Sequence, residues 1–249
     1  MGKVYLVGAG PGAPDLLTIR AARLLESADI VLHDALVHPD TLALASHARK
    51  MDVGKRFGKV STEQRFIIRA LIEAARAHGT VVRLKGGDPM IFGRAQEEID
   101  ALRAAGIEVE VVPGVTAALA AAAVLRISLT RRGVARSVTF LTPRVGRDET
   151  ESEWLPAAIA ADSAALYMAA GASRAIAASL IAAGKAASTP VALVESATLT
   201  GERHQFTTLG ALAAIELPHA SGPVLMCVGE VFRDREAVSA VVAERCRTG

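Results

Sequence analysis

The stretch V-Y-L-V-G-A-G-P-G, residues 4–12, decides how the first part of the chain folds. Val4, Leu6 and Val7 favour a short β-strand, which ends at a run of glycines. Glycine accepts a positive φ and leaves the backbone open to the close approach of a ligand. A strand that leads into such a loop predicts a binding site for a small molecule directly after the strand.

The same loop allows a second interpretation, a dinucleotide site. Residues 8–13 fit the spacing G-x-G-x-x-A, and Asp34 follows at about the distance at which such sites place an acidic partner for a ribose hydroxyl. This pattern predicts an NAD-dependent oxidoreductase. Two prolines argue against it, because Pro11 has no N–H to donate and Pro14 delays the helix whose first turn would hold phosphates.

The length of 249 residues exceeds that of a usual single domain, so we predict two domains. Apolar runs alternate with amphipathic segments along the chain, which predicts an α/β fold with parallel or mixed sheets. The predicted strand 107–112 stops at Pro113-Gly114. We therefore place an N-terminal α/β domain at residues 1–113 and a C-terminal α/β domain at residues 114–249.

Charge, hydropathy and cysteine content argue against several classes of partner. A formal net charge of +2 is too small to indicate nucleic acid. The longest apolar stretch, Ala117 to Leu125, is about half the length needed to span a bilayer, so we expect no membrane partner. Cys227, Cys246 and the six histidines have neither disulfide nor zinc spacing, which predicts no metal site and fits a reducing cytoplasm.

Three polar or glycine-rich segments directly follow predicted strands. They are Asp34, the pair Lys55-Arg56 and the turn Gly86-Gly87-Asp88-Pro89. Open α/β sheets bind their ligands at the carboxyl ends of the strands. We therefore expect these segments to belong to a ligand site.

Five short motifs, in this order, resemble those of the tetrapyrrole methylases. They are V-G-A-G-P-G at 7–12, D-A-L-V at 34–37, G-K-R at 54–56, R-L-K-G-G-D-P at 83–89 and V-P-G-V-T-A at 112–117. Each motif is short, but five of them at consistent spacing are specific. The resemblance implies two α/β domains with the active site in the cleft between them, S-adenosylmethionine as methyl donor, and a homodimer.

Two of these motifs indicate the methyl acceptor. D-A-L-V and G-K-R are most similar to those of family members that methylate uroporphyrinogen III twice and give precorrin-2, on the way to sirohaem and cobalamin. The resemblance therefore implies a polycarboxylate tetrapyrrole as the partner molecule. S-adenosylhomocysteine would be the second product.

The resemblance also implies the residues of the donor site. Those expected to contact S-adenosylmethionine are Pro11, Gly86, Gly87, Asp88, Ile91, Thr116, Ala117, Met168 and Ala197. Most of them offer backbone or apolar surface, which suits a sulfonium and a neutral adenine better than phosphates. Asp88 is the polar exception and suits ribose hydroxyls or an amino group. Without the resemblance, Met168 reads as a core residue and Thr116 as a helix cap.

In the same family, Asp34 matches the proton acceptor and Lys55 the proton donor. Attack by a pyrrole carbon on the methyl group leaves a cationic ring that must lose a proton, and a carboxylate can stabilise that charge or take the proton. Arginines can pair with the carboxylates of the acceptor. Candidates by position alone are Arg56, Arg131, Arg132, Arg136 and Arg144.

The acceptor-side motifs depart from the usual family pattern. L-H-D at 32–34 replaces V-Y-D, and T-P-R at 142–144 replaces T-G-H, whereas the donor motifs are intact. A methylase that acts on a later corrin precursor is therefore a second hypothesis. An NAD-dependent oxidoreductase, which uses the glycine loop and Asp34, is a third.

Overall fold

The computed structural model describes residues 1–54, 64–143, 153–212 and 222–233. The chain divides into two compact units, Met1–Ala117 and Ala118–Gly249. The predicted boundary at residues 113 and 114 lies shortly before this division. The sequence also predicts a last helix at 235–247, and this segment, with Cys246, lies outside the described residues.

The first unit alternates strands and helices around one sheet. In chain order its elements are β1 (Lys3–Gly8), α1 (Ile19–Glu26), β2 (Ile30–His33), α2 (Pro39–Ala43), β3 (Arg49–Asp52), α3 (Gln64–Ala77), β4 (Thr80–Lys85), α4 (Ala95–Ala104) and β5 (Val109–Val112). The strand order is β3-β2-β4-β1-β5, and every neighbouring pair is parallel. All five carboxyl ends therefore lie at the same edge of the sheet.

Helices cover both faces of this sheet, because the strands are apolar on both sides. On one face Leu6 and Leu32 pack with Leu71 of α3 and Leu102 of α4. On the other face the strand residues pack with helix α1, which buries Leu25. The first unit therefore has two hydrophobic layers, one on each side of the parallel sheet.

The glycine loop after β1 does not lead directly into an α-helix. A short 3₁₀ turn, Pro14–Leu16, comes first, and α1 begins only at Ile19. The hydroxyl of Thr18 accepts the N–H of Ala21 at 3.2 Å and caps the helix. As the two prolines predict, the loop lacks the helical first turn that a dinucleotide site uses for its phosphates.

The second unit contains a mixed sheet. Its elements are α5 (Ala117–Leu125), which begins at the division, β6 (Val138–Leu141), α6 (Trp154–Ala160), β7 (Ser163–Leu166), α7 (Ser173–Ala182), β8 (Pro190–Glu195), β9 (Arg203–Thr208), α8 (Leu209–Leu212) and β10 (Val224–Gly229). The order is β6-β7-β10-β8-β9, in which β6 and β7 are parallel and the other pairs antiparallel. The predicted α/β fold with parallel and mixed sheets is confirmed.

Among the helices of the described ranges, none is both long and apolar enough to cross a bilayer.

Candidate active site

The parallel sheet of the first unit brings four of the five motifs to one edge. The loops after β1, β2, β4 and β5 begin at Ala9, Asp34, Gly86 and Pro113. These loops carry the glycine motif, D-A-L-V, the end of R-L-K-G-G-D-P, and V-P-G-V-T-A. The fifth motif, G-K-R, follows β3, and its Lys55 and Arg56 lie outside the described residues.

Three of these loops contact each other backbone to backbone. Gly10 and Gly87 exchange two hydrogen bonds, with the N–H of Gly87 donating to the carbonyl of Gly10 at 2.7 Å and the reverse bond at 3.2 Å. A Cβ on Gly8 would lie 2.6 Å from Cα of Gly114, and a Cβ on Gly114 would lie 2.4 Å from the carbonyl oxygen of Gly87. Such distances exclude a side chain, so these glycines are needed for close packing of the loops.

Asp88 joins two of the loops through its carboxylate. Oδ1 accepts the N–H of Met90 at 2.8 Å, and Oδ2 accepts the N–H of Gly114 at 2.9 Å. The side chain therefore holds the loop after β4 against the loop after β5. A carboxylate has further lone pairs, so this role is compatible with the predicted contact to a ligand.

The residues at this edge fit S-adenosylmethionine better than a dinucleotide. The N–H groups of Gly10 and Gly87 each donate to the carbonyl oxygen of the other residue, and Pro11 has no N–H. The charged side chain of the donor set is the carboxylate of Asp88, which repels phosphates but attracts an ammonium group and accepts from ribose hydroxyls. Of the other donor candidates in the first unit and at the division, Pro11, Gly87, Ile91 and Ala117 are half-buried, Gly86 is exposed and Thr116 is buried.

The second unit carries the remaining two donor candidates, Met168 and Ala197, just beyond the ends of β7 and β8. Met168 has a φ of 56° and a relative exposure of 47%, so the alternative reading of this residue as core is wrong. Ser196 and Thr198, on either side of Ala197, have φ values of 50° and 73°. Positive φ at non-glycine residues is strained and frequently marks functional segments.

Side-chain oxygens that accept backbone N–H groups hold these strained segments. The hydroxyl oxygen of Tyr167 accepts the N–H of Ala118 at 3.1 Å, which ties the end of β7 to the first turn of α5. Oε2 of Glu202 accepts the N–H of Thr198 at 2.8 Å. Oε1 of Glu195 accepts the N–H of Gly222 at 3.0 Å.

Asp34, the predicted base, contacts a buried arginine. Its Oδ1 accepts from Nη2 of Arg83 at 2.5 Å, and its side chain is 30% exposed while that of Arg83 is 2% exposed. Nε of the same guanidinium donates to Oε1 of Glu98 at 3.3 Å, and Nη1 donates to the carbonyl of Leu84 at 3.1 Å. Within the described part of the chain, Oδ2 of Asp34 accepts no hydrogen bond.

Glu98 is the centre of this buried cluster. Both of its oxygens accept from Nζ of Lys85 at 3.2 Å, and Oε1 also accepts from Nε2 of Gln64 at 3.2 Å. Burial, followed by repulsion from Arg83, lowers the pKa of Lys85, although Glu98 and Asp34 oppose this shift. We name Asp34, Arg83, Lys85 and Glu98 the charged cluster.

The sequence interpretation missed three members of the charged cluster. Arg83 and Lys85 occupy alternate positions of β4, among the apolar residues Val81, Val82 and Leu84, so both point to the same face of the sheet. Two cations on one face of a central strand require a buried partner. This pattern in the sequence of β4 could have prompted a search for a buried carboxylate such as Glu98.

The predicted substrate arginines that the structure describes, Arg131, Arg132 and Arg136, are exposed on the connection between α5 and β6. The backbone of Arg131 pairs with that of Ala135, which closes a turn. Arg144 lies outside the described residues. The assignment of all five arginines to the acceptor stays a prediction.

In the described ranges there is no group of histidine, cysteine, aspartate and glutamate side chains that could hold a metal ion. The thiol of Cys227 is fully buried, and this burial raises its pKa to about 12. Such a thiol is not ionised near neutral pH, so it does not serve as a nucleophile.

The model of the tetrapyrrole (corrin/porphyrin) methylases matches residues 3–213. The uroporphyrinogen-III C-methyltransferase of Pseudomonas aeruginosa is 45% identical over 234 residues, 94% of this chain and 95% of that protein. A siroheme synthase of Azotobacter vinelandii is 44% identical over 241 residues, 96% of this chain but 52% of that longer protein. A crystal structure of uroporphyrin-III C-methyl transferase from Thermus thermophilus, complexed with S-adenyl homocysteine, superposes with a TM-score of 0.82 at 41% identity, over 93% of this chain and 99% of that one. This chain therefore belongs to the tetrapyrrole methylases.

Proposed function

We propose that this chain transfers methyl groups from S-adenosylmethionine to two pyrrole carbons of uroporphyrinogen III, giving precorrin-2. The observation that carries this proposal is the convergence of four family motifs, with Asp34 among them, at one edge of the parallel sheet. The similarity to proteins of this named activity supports the choice of donor and acceptor. A third hypothesis, the NAD-dependent oxidoreductase, loses its support because a 3₁₀ turn and not an α-helix follows the loop, and because the N–H groups of Gly10 and Gly87 already donate to carbonyl oxygens.

The donor binds at the loops of the first unit that lie after β1, β4 and β5. Asp88 accepts from the ribose hydroxyls or the ammonium group, and the half-buried Pro11 and Ile91 pack against apolar parts of the donor. The backbone at Gly86 and Gly87 allows close approach because no side chain intervenes. The assignments of Met168 and Ala197 in the second unit rest on the resemblance.

Asp34 removes the proton that the reaction releases. In the transfer step, a pyrrole carbon forms a bond to the methyl carbon while the carbon–sulfur bond breaks, and the sulfonium becomes the neutral thioether of S-adenosylhomocysteine. The ring is then cationic and recovers its neutral form by losing a proton. Because Oδ1 of Asp34 accepts from Arg83, Oδ2 is the atom that stabilises the cation and takes this proton.

Further assignments rest on the family resemblance. We infer that Lys55 returns a proton elsewhere on the macrocycle and that Arg56, Arg131, Arg132, Arg136 and Arg144 pair with acceptor carboxylates. We also infer a homodimer that works in the cytoplasm and a product that enters sirohaem or cobalamin synthesis. Sedimentation equilibrium of the purified chain tests the dimer directly.

The decisive experiment is the product mass after anaerobic incubation of the purified protein with S-adenosylmethionine and uroporphyrinogen III. We expect a gain of two methyl groups, against no gain when the donor is left out. An Asp34→Asn variant should bind S-adenosylhomocysteine like the parent but turn over about 10²- to 10⁴-fold more slowly, the range for loss of a general base. Unchanged mass with folded, donor-bound protein would overturn the acceptor and direct the search to later corrin precursors.

A further inference from the structure

We propose that Glu98 is a positioning residue for both partners of the reaction, through Arg83 toward Asp34 and through Lys85 toward the loop 86–93. This inference rests on the proposed function, since it takes Asp34 as the base and the loop as part of the donor site. Glu98 itself is fully buried and therefore acts only through its neighbours.

The first branch fixes the direction of the base. A guanidinium is a planar group with rigid donor geometry, so holding Nε of Arg83 on Glu98 also determines where Nη2 points. Nη2 donates to Oδ1 of Asp34 at 2.5 Å, and the carbonyl of Leu84 holds the remaining nitrogen at 3.1 Å. The orientation of the Asp34 carboxylate is thus set from the interior of the protein.

The second branch supports the donor loop. Lys85 extends its side chain to both oxygens of Glu98, and its Cε lies beside Gly93, at the end of the loop 86–93. A Cβ on Gly93 would lie 3.1 Å from Cε of Lys85 and 2.8 Å from the carbonyl oxygen of Pro89. Any displacement of the Lys85 side chain therefore disturbs the loop that carries Asp88.

Stability alone is a poor explanation for this arrangement. Burying charged groups has a large desolvation cost, and an apolar cluster of the same volume is frequently as stable as a buried ion pair. Apolar side chains cannot, however, hold a carboxylate at a defined angle. Glu98 connects the two cations, because it accepts from Arg83, which also donates to Asp34, and within the described ranges it is the carboxylate that accepts from Lys85.

The test uses Glu98→Gln, which keeps the shape but removes the charge, and the control Asp100→Asn, an exposed carboxylate two residues further along the same helix. At a temperature at which all variants are folded, we expect Glu98→Gln to lower kcat about 10- to 100-fold, the effect of a slight misplacement of reacting groups. The dissociation constant of S-adenosylhomocysteine should rise several-fold. Asp100→Asn should match the parent in both.

A double variant separates positioning from general destabilisation. If Glu98 acts through Asp34, adding Glu98→Gln to Asp34→Asn lowers kcat no further than Asp34→Asn alone, because the oriented group is already lost. If the double variant instead shows the product of the two separate losses in kcat, Glu98 does not act through Asp34 and the first branch of the proposal is wrong. Arg83→Lys, which keeps the charge without the rigid fork, should resemble Glu98→Gln in kcat.

A crystal structure of Glu98→Gln keeps the inference testable if uroporphyrinogen III proves not to be the acceptor. We expect the contact between Nη2 of Arg83 and Oδ1 of Asp34 to be lost or rotated, together with weaker binding of S-adenosylhomocysteine. An unchanged contact and unchanged affinity would overturn the inference whatever the substrate is. Absence of turnover by the parent protein would, by contrast, count only against the proposed function.

Discussion

The two units hold their loops by different means. In the first unit, loops from β1, β4 and β5 meet through main-chain atoms at Gly8, Gly87 and Gly114. In the second unit, side chains such as Tyr167 and Glu202 accept hydrogen bonds from the strained segments after β7 and β8. Added atoms should therefore disturb the first unit most, whereas loss of a side-chain acceptor should act on both units, through Asp88 in the first and through Tyr167 or Glu202 in the second.

A single added methyl group at Gly114 should have the largest effect of this kind. The new Cβ would lie 2.4 Å from the carbonyl oxygen of Gly87, and backbone atoms cannot move aside as a flexible side chain can. We expect Gly114→Ala to destabilise the first unit by about 3 kcal/mol or more and to abolish measurable binding of S-adenosylhomocysteine. Hydrogen–deuterium exchange and calorimetric titration measure the two effects.

The matched control for Gly114→Ala is Gly171→Ala in the second unit. No atom lies within 4 Å of the Cβ that this change would add. We expect stability within about 1 kcal/mol of the parent, because nothing has to move. Equal effects of the two substitutions would contradict the contrast between the units.

Removal of one hydrogen-bond acceptor at Asp88 should have the second-largest effect on stability and on donor binding. Asp88→Asn replaces a carboxylate oxygen by an NH₂ group, so one of the N–H groups of Met90 and Gly114 loses its partner. An unsatisfied polar group costs about 1–3 kcal/mol, and we expect faster hydrogen exchange at Gly114 and weaker binding of S-adenosylhomocysteine. Protection at Gly114 equal to that of the parent would show that the carboxylate does not join the two loops.

Removal of the Tyr167 hydroxyl should have the third-largest effect on stability, and this effect should be confined to the second unit. Tyr167→Phe leaves the N–H of Ala118 without this acceptor, which we expect to cost about 1 kcal/mol. Hydrogen exchange should increase in the first turn of α5 and after β7, while the loops of the first unit stay protected. Increased exchange at Gly87 as well would contradict the assignment of this hydrogen bond to the second unit alone.

The sequence predicted the elements well because their signals are local. Apolar runs that end at glycine or proline marked β1, β4 and β5, and the prolines of the glycine loop indicated its delayed helix. The strand order β3-β2-β4-β1-β5 could not be obtained in this way, because it depends on pairing between distant segments. Without the order, the neighbouring positions of Asp34 and Arg83 remain hidden.

Glu97 and Glu98 show why the charged cluster escaped prediction. Both lie in the first turn of α4, where acidic side chains interact favourably with the helix dipole. At such a position a carboxylate is expected to be exposed to solvent. Packing of the helix on the sheet leaves Glu97 exposed, paired with Arg94, and buries Glu98 completely. Adjacent identical residues on a helix differ by about 100° in direction, so only the tertiary structure decides which of them is buried.

Substitution of Asp162 should have the smallest effect on stability. This residue links the segments that precede β6 and β7 in the second unit. Its Oδ2 accepts from the backbone N–H of Arg136 and from the backbone and hydroxyl of Ser137, at 2.8–3.0 Å, and these bonds lower the pKa of its carboxyl. A lowered folded-state pKa stabilises the fold above the ordinary aspartate pKa and loses this contribution as pH falls through the folded-state value. Asp162→Asn should therefore unfold more readily than the parent near neutral pH, and the difference should narrow below about pH 4.

Urea unfolding at a series of pH values measures this difference in stability, with Asp100→Asn of the first unit as the control. A difference that stays constant down to pH 2 would mean that the carboxylate stabilises β6 and β7 by its shape alone, and not by its charge.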